Sequence, residues 1–265
     1  MLNIILKMEI KILNKSQNKL VFAINGINPA LANTLRRLMI GEVPILAIDT
    51  VEFNKNSSAL YDEFIAHRLG LIPLKTDLKS YNLKEECKCK GKGCAICELK
   101  LTLKAEGPGI VHSSQLKSSD PKAIPVYEEM PIVELTKKQG LELTATAVLG
   151  KGKVHAKFSP GLVYYRGFPT LNVKDKGKLK RVEDVLKDFV TVKGENIQIK
   201  DISTWKESYE EMLEMNDVEV VNSKEDFVFY LESWGQLKPE EIVKKALDIF
   251  DEKLDEFSDK LKKAK

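Results

Sequence analysis

The sequence predicts an α+β fold, and three observations carry that expectation. Short apolar runs alternating with polar residues recur through much of the chain. Two longer segments, one near each end, carry apolar residues at helical spacing, and from residue 174 the texture turns rich in Lys, Glu and Asp, as in a separate small module. The 265 residues suffice for a sizeable core and one to three domains, and 43% hydrophobic with 31% charged residues excludes disorder. The formal charge is only +3, from 42 basic and 39 acidic residues interleaved along the chain, so a phosphate-driven grip on nucleic acid is not the first reading. No run approaches the ~20 apolar residues that span a bilayer. The apolar start, Met1 to Leu6, lacks the basic lead-in and cleavage site of a signal peptide, so no membrane partner and a cytoplasmic location are expected.

In chain order, residues 9–13 and 19–25 alternate as two strands joined by a polar turn at 14–18. A helix follows over 29–41: Asn28 can cap it, Pro29 suits its first position, and Gly41 and Pro44 end it. Leu31, Leu35, Leu38 and Met39 form its apolar stripe, with Arg36 and Arg37 leaving from the side. Residues 45–53 read as a strand, and 62–69 as a short helix capped by Asp62 and stopped by Gly70 and Pro73. Strands are expected near 99–105, 124–135, 141–148 and 162–173. The charged module contains helical patches at 182–189 and 204–215 and β-branched runs at 190–193, 197–202 and 218–221. Residues 226–232 form a strand broken by Gly235, and a last helix runs over 239–262. Its stripe is Ile242, Ala246, Phe250, Leu254, Phe257 and Leu261, with acids at its start and lysines at its end to match the helix dipole.

All four cysteines lie in one loop, Cys87, Cys89, Cys94 and Cys97, spaced C-x-C-x4-C-x2-C. A disulfide framework spreads its cysteines to staple distant loops, whereas clustering favours a metal site in a reducing compartment. The x2 spacing lets one turn present two sulfurs, and Gly91 and Gly93 let the backbone fold back on the first pair. Four thiolates around one structural zinc ion is the preferred reading; an iron–sulfur cluster, free thiols and two disulfides are the alternatives. Four protein ligands leave no open position for water, so the ion is structural, and its binding supplies folding energy to a loop with little apolar content.

No reaction centre is expected. The three histidines, His67, His112 and His155, have no triad or metal spacing, and His67 reads as a partly buried hydrogen-bonding residue. Gly150-Lys151-Gly152-Lys153 lacks the span and the following helix of a phosphate loop. Carboxylate pairs such as Glu210-Glu211 and Asp251-Glu252 fall in solvated helical runs.

Three stretches carry a resemblance. Asn28 to Ile40, NPALANTLRRLMI, is followed by EVPILAID at 42–49; DEFIAHRLGLIPL occupies 62–74; and FYLESWG at 229–235 precedes PEEIV at 239–243. His155 to Gly161, HAKFSPG, adds a fourth. Together these motifs resemble the D-subunit family of archaeal RNA polymerase, related to the third-largest subunit of eukaryotic RNA polymerase II and to the N-terminal domain of the bacterial α subunit. The resemblance implies a discontinuous dimerisation domain at 1–43 and 223–265, and an inserted, mostly β domain at 44–165. It also implies a small ferredoxin-like α+β insertion at 166–222. It implies an assembly subunit that is not an enzyme on its own, the nucleotidyltransferase site lying on other subunits. The implied partners are small subunit L, in an α-like heterodimer, then the largest and second-largest subunits and small subunits N and P, with DNA met only through the complex. The 29–41 helix, with Arg36 and Arg37, resembles the region that bears on the second-largest subunit, and the cysteine loop resembles the zinc loop of the eukaryotic counterpart. Many members of the family hold an iron–sulfur cluster in the inserted module, but residues 174–222 contain no cysteine, so no thiolate-held cluster is expected there.

A helix of about 24 residues is ~36 Å long, more than a small domain can cover, so part of its stripe is expected on another chain. The partner-facing residues expected are Leu31, Leu35, Arg36, Arg37, Leu38, Ile242, Ala246, Phe250, Leu254 and Phe257. Two other function classes make different predictions. A stand-alone zinc-containing nucleic-acid-binding protein needs a basic face and salt-dependent DNA affinity, and a redox protein using the cysteines needs a visible absorbance band.

Overall fold

The computed structural model describes residues 8–174, 179–194 and 196–264. The apolar start at Met1 to Leu6 lies outside the described residues. By contacts the chain divides into two compact units, one of Met1–Arg36 with Val163–Leu231, the other of Arg37–Leu162 with Glu232–Lys265.

The first unit is built on a four-stranded sheet ordered β1-β2-β12-β9: β1 Glu9–Lys15, β2 Lys19–Asn25, β12 Val218–Ser233 and β9 Gly161–Val173. The hairpin β1–β2 pairs antiparallel with a register shift between Ile12 and Asn14. Aromatic rings fasten one face: Phe22 stacks on Phe229 at 5.1 Å, and Tyr165 meets both Phe227 and Phe229 at 5.4 Å. On the other face Tyr164 stacks on Tyr230 at 4.8 Å, as the two-residue period of a strand requires. Between β9 and β12 the chain forms the small module, with helices α3 Leu179–Leu186 and α4 Glu207–Glu214 and the hairpin β10 Val190–Lys193 with β11 Asn196–Ile199. Val182, Leu186, Val190, Trp205, Leu213 and Val218 make its own core.

The second unit centres on a sheet ordered β3-β8-β4-β6: β3 Pro44–Asn56, β8 Gly140–Lys151, β4 Glu98–Glu106 and β6 Lys117–Ser118. A two-stranded pair, β5 Gly109–His112 with β7 Pro131–Leu135, and the helix α2 Asp62–Gly70 complete its core, around Ile65, Leu69, Leu99, Leu101, Ile132 and Leu143. The long helix α5, Pro239–Lys263, belongs to this unit, and the helix α1, Pro29–Gly41, ends in it.

Several expectations meet the structure closely. Asn28 Oδ1 accepts the Leu31 N–H at 2.8 Å and opens α1 where the sequence placed it. Others are corrected. Asp62 does not cap α2: Tyr61 is the cap residue, and Asp62 stands in the first turn, where its carboxylate accepts from Asn56 Nδ2 at 2.7 Å. His67 is exposed, not partly buried. The strand expected over 124–135 forms a ladder only at Pro131–Leu135; upstream, Pro125 makes a single isolated bridge to Leu74, and Glu128-Glu129 belong to an exposed turn. The runs at 218–221 and 226–232 are one strand, β12; its polar middle is exposed, so the apolar alternation lapses without ending the strand.

Candidate metal centre and exposed helix face

The cysteine loop hangs between Tyr81 and the start of β4. Lys90, Gly91 and Gly93 all take left-handed backbone, at φ 56, 77 and 89°, which coils the loop so that four sulfurs converge. A Cβ at Gly93 would sit 2.6 Å from the Glu98 carboxylate, which is held by Lys84 at 2.8 Å, so glycine is required there. Backbone turns lock the geometry: Lys90 N–H donates to Cys87 O at 2.9 Å, and Cys97 N–H and Glu98 N–H both donate to Cys94 O at 2.9 Å. Cys94 N–H also points at Cys97 Sγ, at 3.3 Å.

All four sulfurs lie within 4.8 Å of one another, and three pairs are at 3.5, 3.5 and 3.7 Å (Cys87–Cys94, Cys89–Cys97 and Cys94–Cys97). Bonds of ~2.3 Å to one tetrahedral ion place sulfurs ~3.8 Å apart, so the residues fit a single ion. A polynuclear cluster spreads its thiolates over two or more irons and separates at least one pair further than this. The cysteines are not disulfide-bonded: 3.5 Å far exceeds the ~2.05 Å of an S–S bond. Crowding splits the thiols electrostatically. The hydrogen bond from Cys87 lowers Cys89 to about 6, while burial pushes Cys97 up to about 12. Cys87 and Cys97 are buried, whereas Lys88, Lys90 and Lys92 are exposed around the loop. Among the described residues this is the one His/Cys/Asp/Glu group with metal-binding geometry.

The helix α5 has two unlike halves. Ile242, Ala246 and Ile249 are buried at 0, 1 and 6% exposure and fix the first half to the protein. From Asp251 to Ala264 every residue is exposed, including Leu254 at 49%, Phe257 at 62% and Leu261 at 52%. These three repeat at intervals of three and four and form one apolar stripe. Phe250 is half-buried at the junction. On α1, Leu35 and Leu38 are buried within the chain, Leu31 is half-buried, and Arg37 is exposed. Arg36 folds back on its own helix, with Nε and Nη2 donating to Asn33 Oδ1 at 3.1 and 2.9 Å. Of the ten helix residues singled out from sequence, Leu35, Leu38, Ile242 and Ala246 therefore serve the chain's own core.

Two features escaped the sequence reading. Glu42, just after α1, gathers Lys153, Lys253 and Lys151 at 3.0, 3.3 and 3.6 Å and so ties α5 down through Lys253. Burial opposes its ionisation, but the Lys153 hydrogen bond and the Lys253 and Lys153 charges hold it below the usual carboxylate value. Tyr61 and Phe64, 74% and 59% exposed, stack at 6.4 Å on the outer side of α2. Their spacing of three was the available signal, but the buried Ile65 and Leu69 dominate the periodicity.

The candidate site is thus a four-cysteine group that could hold one metal ion, in a β-rich unit that also carries an exposed apolar helix face. Residues 48–161 match the family described as the RNA polymerase Rpb3/RpoA insert domain, the stretch from within β3 to the start of β9. Among curated proteins, the chain is 41% identical to DNA-directed RNA polymerase subunit Rpo3 of Pyrococcus horikoshii, over 96% of this chain and 98% of the relative. It is 37% identical to the Archaeoglobus fulgidus subunit of the same name, over 94% and 96% of the two chains. The Methanosarcina acetivorans Rpo3 is likewise 37% identical, over 94% and 97%. The chain belongs to the family of archaeal DNA-directed RNA polymerase subunit Rpo3.

Proposed function

We propose that this chain is the non-catalytic assembly subunit of an archaeal RNA polymerase, a member of the D-subunit family in role as well as in sequence. It pairs with small subunit L in an α-like heterodimer on which the two large catalytic subunits assemble, with N and P alongside, in the cytoplasm. In this reading residues 1–43 and 223–265 form the dimerisation domain. The observation that carries it is the outer half of α5, whose apolar stripe of Leu254, Phe257 and Leu261 has no cover among the described residues. Exposing such a stripe is unfavourable unless a partner buries it. Arg37, exposed on α1, is the side chain of that helix most available to the second-largest subunit.

The ion proposed for the cysteine loop is zinc, held by Cys87, Cys89, Cys94 and Cys97. When bound it supplies the folding energy of a loop that cannot fold by burial. Lys88, Lys90 and Lys92 offset the net negative charge of four thiolates. The 166–222 module carries no cluster, since it holds no cysteine. Co-expression with an archaeal subunit L tests both parts of this proposal. The expected product is a one-to-one complex with one equivalent of zinc; a chain that elutes alone refutes the pairing, and iron or no metal refutes the ion.

A further inference from the structure

The cysteine loop has two arms and one neck. Cys87 and Cys89 sit on the first arm, which leaves the short helical turn Lys84–Glu86. Cys94 and Cys97 sit on the second, which runs directly into β4 at Glu98. A single ion needs sulfurs from both arms at once, so the closeness of the arms sets how readily a detached ligand returns. Apart from the cysteines, the apolar side chains inside the loop are Ala95 and Ile96, and both are exposed. Aliphatic packing therefore does not join the arms.

Polar contacts at the neck do join them. Asn82 N–H donates to Ile96 O at 2.9 Å, crossing from the root of one arm to the other. Beside it Lys84 Nζ meets Glu98 Oε1 at 2.8 Å, with the two side chains 36% and 22% exposed. Glu98 is fixed on both sides. It pairs with Val148 across β4 and β8, and its N–H donates to Cys94 O at 2.9 Å. Its carboxylate also lies against the turn that leads into Cys94, since a Cβ on Gly93 would sit 2.6 Å from Oε2 and 2.8 Å from Cδ. One carboxylate thus touches the second arm and holds the lysine that stands three positions before Cys87.

We propose that Lys84 and Glu98 are positioning residues of the metal loop: their ion pair latches its two arms together and so governs how fast the ion leaves. The latch acts through the spacing of the arms and not through the charge it adds beside the thiolates. The proposal rests on the metal reading of the loop given above, but its test separates the two. The full chain is loaded with zinc, and release to excess 4-(2-pyridylazo)resorcinol is followed by absorbance. Wild type is compared with Glu98→Gln, with Glu98→Lys, and with the exchange Lys84→Glu/Glu98→Lys.

Glu98→Gln keeps the shape against Gly93 and removes only the charge. A part-solvated ion pair shifts an opening equilibrium modestly, so release should quicken roughly two- to fivefold. Charge compensation alone predicts the opposite, slower release, because a negative charge beside the thiolates is gone. Glu98→Lys opposes two cations at the neck and should quicken release roughly three- to tenfold. The exchange restores opposite charges and should return the rate to within about twofold of wild type. Amide exchange at Asn82 in the chelator-stripped chain gives a reading that needs no metal. It should quicken by similar factors in both single variants and recover in the exchange, while Leu99, buried in β4, stays protected throughout. If zinc binds but leaves Glu98→Gln no faster than wild type, or the exchange fails to restore the rate, the latch is refuted and the metal reading stands. If wild type takes up no zinc, the metal reading falls, and unchanged Asn82 exchange in the variants refutes the latch as well.

Discussion

Replacing Glu42 with Gln removes the charge that holds three lysines, and its consequence is calculable. The Glu42 side chain is 15% exposed, with Lys153, Lys253 and Lys151 at 3.0, 3.3 and 3.6 Å and themselves 53, 47 and 26% exposed. Ion pairs at this degree of solvation contribute roughly 0.5 kcal/mol each, so the cluster amounts to about 1–2 kcal/mol. In a chain of this size that lowers the melting temperature by roughly 3–6 °C. The folded carboxyl lies below its ordinary 4.5, so its stabilisation is present above the unfolded value and is lost as pH falls through the folded one. Thermal melts of the isolated chain in low salt should therefore show a constant gap between wild type and Glu42→Gln from neutral pH to about 5.5, narrowing below about 4.5. Raising the salt should shrink the gap at every pH. Equal melting temperatures at neutral pH, or a gap that persists unchanged in acid, would refute the reasoning.

The other stability predictions separate the chain's own core from its exposed surfaces. Cys94→Ser should abolish stoichiometric metal and raise amide exchange at Asn82 and Cys97, whose backbone bonds belong to the loop, while Leu99 in the sheet stays protected. Metal retained at one equivalent after gel filtration would contradict it. Ile242→Ala, at a fully buried position, should destabilise the free chain by about 2–5 kcal/mol, read by denaturant unfolding. A loss below about 1 kcal/mol would mean that α5 is not anchored through this residue.

Much of this architecture was legible because the signals were local. Asn28 with Pro29 opened α1, Gly235 closed β12, and the helical period over 239–262 placed α5 to within one residue of its end. The cysteine spacing was equally readable, since all four cysteines fall within eleven residues and the turns between them depend on nearby glycines. What the sequence could not divide was each apolar stripe into the part the chain covers and the part it leaves open. Ile242 and Phe257 occupy the same periodic pattern, yet one is fully buried and the other 62% exposed, because burial depends on where the rest of the chain happens to end along the helix. Long-range pairings were opaque for the same reason. Nothing near Glu42 announces Lys253, and nothing near Gln236 announces Thr76, whose N–H its carbonyl accepts. Proline also misled at Pro125, where apolar neighbours suggested a continuous strand but the chain makes one isolated bridge, to Leu74.

That the outer half of α5 is a partner face is tested most directly by measuring the affinity of subunit L for wild type and for the double variant Leu254→Ala/Phe257→Ala. Both side chains are exposed in the free chain, so the variant should unfold within about 0.5 kcal/mol of wild type. If a partner buries them, truncation should weaken binding by at least about 2 kcal/mol, or roughly thirtyfold in Kd. A variant that binds subunit L as tightly as wild type would contradict the claim.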